Sequence, residues 1–382
     1  MNVNLEDFDQ TFSEAETVNP LPDARSLIDL AAVLPDPAKT LLGNRFLCIG
    51  GGMLFVGPSG IGKSSASVQQ DISWALGRAA FGINPARPLR ILCVQAENDD
   101  GDLGEMSRGV CAGLHLSAED RETVRDRVLY VSERASTGAG FLAMLARLLK
   151  KHPSDILRID PLLAYLGADV NDAEATAAFL RTGLNPLLDE FNCGAIINHH
   201  TPKVTNRDTS AWRASDWMYA GAGSADLTNW CRAALVIDPT HAGHVFRFIA
   251  AKRGGRIGWR NDADEPIYDR FFCHETNGGL CWREATPADV EAVTAATTSK
   301  KSGRNVKPPA ELKALVPAID SMRKDALLNA ARGQGFTARG AAGALADLLE
   351  NGDLFEHRVK RKGTNPEVRI SRHEQTLAEV SQ

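Results

Sequence analysis

Residues 57–64 read Gly57-Pro58-Ser59-Gly60-Ile61-Gly62-Lys63-Ser64, directly after the apolar run Met53-Leu54-Phe55-Val56 and before a helical pattern that runs from Ser65 to Leu76. A strand, a glycine-rich turn and a helix in that order make a P-loop. Gly57, Gly60 and Gly62 let the backbone curl, so that successive N–H groups point into one concavity suited to phosphate oxygens. The helix beginning near Lys63 aims the positive end of its dipole at the same place. The expected nucleotide contacts are Gly57, Pro58, Ser59, Gly60, Ile61, Gly62, Lys63, Ser64 and Ser65. Lys63 is expected to reach the β- and γ-phosphates and the Ser64 hydroxyl to hold Mg²⁺, so ATP with magnesium is the expected ligand.

Outward from this turn, strands and helices alternate. Strands are expected at Met53–Val56, Arg90–Gln95, Val128–Ser132, Asp155–Ile159 and Ala195–Asn198, with helices at Ser64–Leu76, Asp102–Leu114, Gly140–Leu149 and Ala173–Glu190. That alternation predicts an α/β fold, with right-handed crossovers and a mostly parallel sheet. After about residue 230, the runs Ala233–Ile237, Val245–Ala251, Arg256–Trp259, Phe271–His274 and Leu280–Arg283 read as antiparallel strands that extend the sheet. Ser26-Leu27-Ile28-Asp29-Leu30 reads as a short amphipathic piece leading into the core.

The chain has 382 residues, enough for one large α/β domain and a smaller one. The domains expected are an acidic, disordered N-terminus at 1–20, an ATPase domain at 21–296, a basic, proline-containing linker at 297–310 and a small module at 311–382. In the last, helices at Leu312–Ala331 and Thr337–Leu349 precede a hairpin of Leu354–Lys360 and Val368–Ser371, the order of a winged-helix module. A net charge of −5 excludes a uniformly basic surface but not a basic channel in a ring of subunits. The seven cysteines are scattered, with no metal spacing, and read as core residues of a reducing compartment. With no signal peptide and no apolar span, the expected location is the cytoplasm, with no membrane partner.

In parallel α/β sheets the reactive groups lie just past the carboxyl ends of the strands. Asp160 ends Ile156-Leu157-Arg158-Ile159 and fits a Walker B aspartate, which supports Mg²⁺ through its water shell. Arg158 interrupts that otherwise apolar strand, which is expected either to be short or to turn Arg158 to a solvated face. Glu97, after Ile91–Gln95, is the candidate base that orients the attacking water, with Asp99 and Asp100 behind it. His199 and His200 follow Ile196-Ile197-Asn198 and are candidate γ-phosphate sensors. No third ligand at useful spacing supports a metal at the histidines.

The set Gly57–Ser64, Glu97, Asp160-Pro161-Leu162 and His199-His200-Thr201-Pro202-Lys203 resembles the RecA-like ATPases of plasmids, phages and integrated elements, among them the RepA-like hexameric replicative helicases. Gly221–Trp230 with Arg232, and Lys252-Arg253-Gly254-Gly255-Arg256, extend the likeness over roughly 20–285. The resemblance implies a ring, expected to be a hexamer, with ATP between adjacent subunits and a cation supplied in trans to the transferred phosphoryl group. Arg232 is the first candidate for that cation, and Lys252 and Arg253 come next.

Residues 201–219 mix cations with aromatics, a combination suited to single-stranded DNA. The expected nucleic-acid contacts are Lys203, Arg207, Trp212 and Arg213. The C-terminal module carries Arg358, Lys360, Arg361, Lys362, Arg369 and Arg372, which suit phosphate contact or the docking of a replication protein. Together these readings predict an ATP-dependent single-stranded-DNA motor of replicative-helicase type. The alternatives are a nucleotide-gated DNA-binding regulator, or an ATPase adaptor that loads a helicase or primase.

Overall fold

The computed structural model describes residues 23–201, 212–219, 225–274, 280–302, 307–359 and 367–374. The chain forms two compact units, Met1–Val293 and Thr294–Gln382.

The first unit is built on a nine-stranded sheet. Its strands are β3 (Gly52–Gly57), β4 (Ile91–Gln95), β5 (Val128–Ser132), β6 (Ile156–Asp160), β7 (Gly194–His200), β8 (Ala233–Pro239), β9 (Val245–Lys252), β10 (Asp269–His274) and β11 (Trp282–Glu284). A short pair, β1 (Thr40–Leu42) and β2 (Leu47–Cys48), precedes them. Across the sheet the order is β11-β10-β9-β8-β3-β7-β6-β4-β5. The strands from β8 to β5 run parallel, and β9, β10 and β11 continue antiparallel. The sequence predicts this α/β sheet with its antiparallel extension, and the P-loop strand β3 lies at its centre.

Side-chain alternation gives the sheet two apolar faces. Met53, Phe55, Ile91, Ile156 and Ile196 lie on one, facing α2 (Lys63–Ala75). Leu54, Val56, Leu92, Leu157, Ile159 and Ile197 lie on the other, under Phe141, Leu145 and Leu149 of α5 (Gly138–Lys151). Helices α3 (Asp100–Gly113) and α4 (Ala118–Arg127) follow β4, and Val110 and Cys111 of α3 pack on Val68 and Ile72 of α2. The expected helix at 173–190 is present as Ala173–Ala177, a π-helical turn Ala178–Leu184, and Asn185–Glu190; together these are α6. Helix α7 (Ala225–Trp230) leads into β8.

Three expectations for the first unit are corrected. Arg256–Trp259 is not a strand, because Gly254–Arg256 is a 3₁₀ turn and Gly258 has φ +93, which breaks extension. Helix α4 was not expected, because its sequence is polar all round and buries nothing. Its signal is the reciprocal cap between Ser117 and Asp120. The short helix α1 (Leu27–Ala31) does not lead into the core: Leu27 is 80% exposed and Ile28 78%. Helix α8 (Pro287–Ser302) runs into the 297–310 stretch, and α9 (Pro309–Leu315) begins inside it.

The second unit holds α9, β12 (Met322–Arg323), α10 (Lys324–Gly333), α11 (Ala338–Glu350), β13 (Phe355–Val359) and β14 (Glu367–Ser371). A sheet in the order β12-β14-β13 packs with the helices around Leu312, Leu327, Leu345 and Ile370. The expected helix 312–331 is two helices. Pro317 lacks the N–H a continuing helix needs, and α9 stops at Leu315.

Candidate nucleotide site

The P-loop curls as its glycines allow. Gly60 and Gly62 have φ +78 and +89, a region that side chains with a Cβ rarely occupy. A Cβ on Gly60 would meet nothing within 4 Å, so that wall of the concavity is open. A Cβ on Gly62 would lie 2.7 Å from His274 Cε1 and 3.0 Å from Trp282. His274 ends β10, stacks on Trp282 with ring centroids 3.9 Å apart, and hydrogen-bonds the Ile61 backbone. The Trp282 indole N–H donates to Ser65 Oγ at 3.0 Å, and Ser65 Oγ donates to the Gly62 carbonyl at 2.9 Å. The antiparallel extension therefore braces the P-loop from behind, and Ser65 is engaged in that brace. The sequence signal for His274 and Trp282 was only an apolar strand.

Lys63 is buried at the first turn of α2. Its ammonium donates to the Gly57 carbonyl at 2.9 Å, to the Pro58 carbonyl at 2.7 Å and to His200 Nδ1 at 3.0 Å. An ammonium only donates, so His200 Nδ1 accepts and its proton sits on Nε2. Nε2 is 3.3 Å from Glu97 Oε1. Lys63, His200 and Glu97 thus form one chain from the P-loop to the β4–α3 loop. Burial lowers the Lys63 pKa, opposed by the charges of Asp160 and Glu97. Ser64 is half-buried beside it.

Asp160 is the last residue of β6 and pairs in register with Gln95 of β4. Burial pushes its carboxyl up, opposed by a hydrogen bond from Asn198 and by the charges of Arg158 and Lys63, while Glu97 adds to the rise. A buried carboxylate whose charge is incompletely offset, and which feels the ammonium of Lys63, the chain neighbour of Ser64, fits a divalent cation. The described residues contain no cluster of three or more His, Cys, Asp or Glu that would cage a metal. Mg²⁺ at such a site takes most of its ligands from phosphate and water.

The two histidines part company. In β7, His200 pairs with Gly57 and His199 with Val56, so alternation sends them to opposite faces of the sheet. His200 reaches Lys63, whereas His199 is 2% exposed on the α5 face. Asp99 caps α3 by accepting from Asp102 N at 2.8 Å, which leaves Glu97 as the carboxylate nearest Lys63 in that loop.

Arg232, Lys252 and Arg253 lie elsewhere. Arg232 N donates to the Gly52 carbonyl, at the opposite end of β3 from Gly57. Five strand steps of about 3.3 Å put the two ends roughly 17 Å apart. Lys252 ends β9 and donates to the Thr228 carbonyl at 2.8 Å. Arg253 has φ +56 and donates to the Arg45 carbonyl. Its pKa is lowered by burial and then by Arg256, Arg232 and Arg45. A cluster of four arginines therefore gathers at the end of β3, β8 and β9 opposite the P-loop. Arg45 and Arg256 belong to it, and the sequence did not single out Arg45.

Among the expected nucleic-acid contacts, Arg213 is exposed and Trp212 is half-buried, packed at 5.0 Å edge-to-face on the buried Trp217. Trp217 belongs to the core of the first unit, and Trp212 packs partly buried against it. Lys203 and Arg207 lie outside the described residues. In the second unit Arg358 is exposed, Arg369 is held by Ser321 and Glu367, and Arg372 by the Val316 and Ala314 carbonyls. Lys360, Arg361 and Lys362 lie outside the described residues. No described helix is long and apolar enough to cross a membrane.

Comparison with known proteins gives one family. The AAA domain family matches residues 15–206, half of the chain, and that span holds the P-loop, Glu97, Asp160, His199 and His200. No curated protein matches the chain. Among solved structures, the crystal structure of the RadB recombinase aligns with a TM-score of 0.41 at 12% identity, covering 62% of this chain and 91% of that one. With a complete P-loop at the centre of its sheet, and with the match over half its length, this chain belongs to the AAA domain family.

Proposed function

We propose that the chain is an ATP-driven motor on single-stranded DNA, of replicative-helicase type, which hydrolyses ATP at the subunit interfaces of a ring, a hexamer. Lys63 and the P-loop amides hold the phosphates, while Ser64 and Asp160 hold Mg²⁺ directly and through water. The metal supplies charge neutralisation on the phosphate oxygens when bound. Glu97 orients the attacking water, and His200, bonded to both Lys63 and Glu97, senses the γ-phosphate. The observation that carries the reading is the arginine cluster at the strand ends opposite the P-loop. Roughly 17 Å of β3 separates Arg232 from the P-loop of its own chain, a distance that suits these cations to a neighbour's nucleotide.

The test is steady-state ATP hydrolysis with and without single-stranded DNA, with Lys63→Ala as the blank. Stimulation by single strands, lost in the Lys63 variant, supports the motor. Hydrolysis indifferent to single strands overturns it and leaves the adaptor or regulator readings. The separate compact C-terminal unit favours those as the second choice.

A further inference from the structure

A polar network crosses the core between the P-loop helix and the end of β6. Arg158, expected on a solvated face or in a short strand, is 0% exposed in the middle of β6. Its Nε donates to both oxygens of Asp71 at 3.0 Å, and its Nη2 to Asp71 Oδ1 at 2.6 Å and to Gln70 Oε1 at 3.0 Å. Its Nη1 donates to Asn198 Oδ1 at 3.1 Å and to Ser67 Oγ at 3.3 Å. Tyr130 completes Asp71, donating to Oδ2 at 2.8 Å. Ser67, Gln70 and Asp71 lie on α2, the helix that the P-loop opens. Burial opposes the Arg158 charge, but the charge and hydrogen bonds of Asp71, with Tyr130 and Cys93 adding to them, raise its pKa.

The network has a direction. A guanidinium has no acceptor, so Arg158 can meet only the carbonyl end of the Asn198 amide. That choice turns the Asn198 NH₂ the other way, where it donates to Ser67 Oγ at 2.9 Å and to the Asp160 carboxylate. With Arg158 absent, either end of the amide fits against Ser67, whose hydroxyl both donates and accepts, and the Asp160 carboxylate alone is left to select the NH₂ end. Stability alone does not call for such an arrangement, because apolar side chains of like volume fill a core as well as a buried ion pair does.

We infer that Arg158 and Asn198 are positioning residues: Arg158 fixes the orientation of the Asn198 amide, and Asn198 holds the Asp160 carboxylate in place for the metal-bound nucleotide. The inference rests on the proposed reading of Asp160 as the carboxylate that supports Mg²⁺. Because Ser67, Gln70 and Asp71 lie on α2, the P-loop helix and the metal-supporting carboxylate are held in one register.

The test is a Mn²⁺ titration, read by electron paramagnetic resonance, of the protein saturated with a non-hydrolysable ATP analogue. Affinity for the analogue in EDTA is measured beside it. Asn198→Leu is expected to weaken Mn²⁺ binding about 10-fold, as loss of an outer partner of a metal ligand does, with metal-free nucleotide affinity unchanged. Arg158→Lys is expected to shift it the same way, because an ammonium serves Asp71 but cannot also reach the amide. Ser67→Ala removes only an oxygen from the core and gives a smaller loss in the same direction, so one variant stays folded whatever the others do.

Wild-type Mn²⁺ affinity in the folded variants, with Asp160→Asn binding weakly, overturns the positioning role and leaves the metal reading standing. Asp160→Asn binding Mn²⁺ as the wild type does overturns the metal reading and the inference with it. An equal loss of metal-free nucleotide affinity in these variants marks a general disturbance of the P-loop and also overturns the inference.

Discussion

Arg158 and Asp71 meet with both side chains wholly buried, Nη2 to Oδ1 at 2.6 Å, one from the strand that ends in Asp160 and the other from the helix that begins at Lys63. Removing either partner strands the other's charge away from water. Arg158→Ala and Asp71→Ala are each expected to destabilise the fold by about 3–5 kcal/mol. The paired replacement of Arg158 by Met and Asp71 by Leu recovers most of that loss, since it buries no lone charge. Urea denaturation followed by circular dichroism measures all three; single variants with wild-type midpoints would show that neither charge is stranded by the loss of its partner.

The chain from Lys63 through His200 to Glu97 separates binding from chemistry. Lys63→Ala is expected to weaken nucleotide binding and to lower turnover by about 100-fold or more, the effect of losing one charged donor at the phosphates. Glu97→Gln is expected to lower turnover by about 100-fold or more, as loss of a general base does, while nucleotide affinity stays near wild type. Phosphate release and fluorescent-nucleotide binding distinguish the two. A Glu97→Gln enzyme that turns over normally would remove Glu97 from the chemistry.

Gly62 is intolerant of any side chain for two independent reasons. Its φ is +89, and an added Cβ would sit 2.7 Å from His274 Cε1. Gly62→Ala is expected to lose nucleotide binding and to lower the melting temperature, with strain alone costing about 1 kcal/mol or more. Gly60→Ala meets no atom within 4 Å and carries only the backbone strain of φ +78, so it is the milder change. Thermal melts of the two variants side by side check the order.

Asp238, near the end of β8, has a carboxyl pushed up to about 6 by burial, opposed by Arg247. A folded-state pKa above the unfolded value near 3.8 means that the native protein holds the proton more tightly. The ionised form therefore costs stability. That cost is absent below about pH 4, grows as pH rises through 4 to 6, and is full above. Asp238→Asn is expected to raise the melting temperature at pH 7.5 and to leave it unchanged at pH 4. A rise of equal size at both values would show that the effect is not ionisation.

Much of the site is legible in the order of residues, because the P-loop and Asp160 are local features that need only a strand and the turn after it. Glu97 sits past a strand read correctly, whereas the histidines, expected after theirs, are the last two residues of β7 itself, and which of them meets Lys63 was settled by register. His200 pairs with Gly57 and so reaches Lys63, while its neighbour His199 faces the opposite side. Arg158 was misplaced for a different reason. An arginine in an apolar strand needs a carboxylate from whatever covers it, and Asp71, the one acid in α2, was the signal. That Trp212 packs on Trp217 was not legible, because aromatics in a long segment carry no mark of what they pack on.

The sequence by itself determined the α/β sheet, the P-loop with its lysine at the helix start, and the carboxylate that ends β6. Each of these follows from short-range rules of periodicity, glycine freedom and strand ends. Only the tertiary structure decided that Arg158 is buried, that Asn198 turns its amide nitrogen toward Asp160, that His274 and Trp282 brace Gly62, and that Arg45 joins Arg232, Arg253 and Arg256 at the strand ends opposite the P-loop. Those facts come from residues tens to hundreds of positions apart. Strand order and register bring them together, and neither is written in any local stretch of the chain.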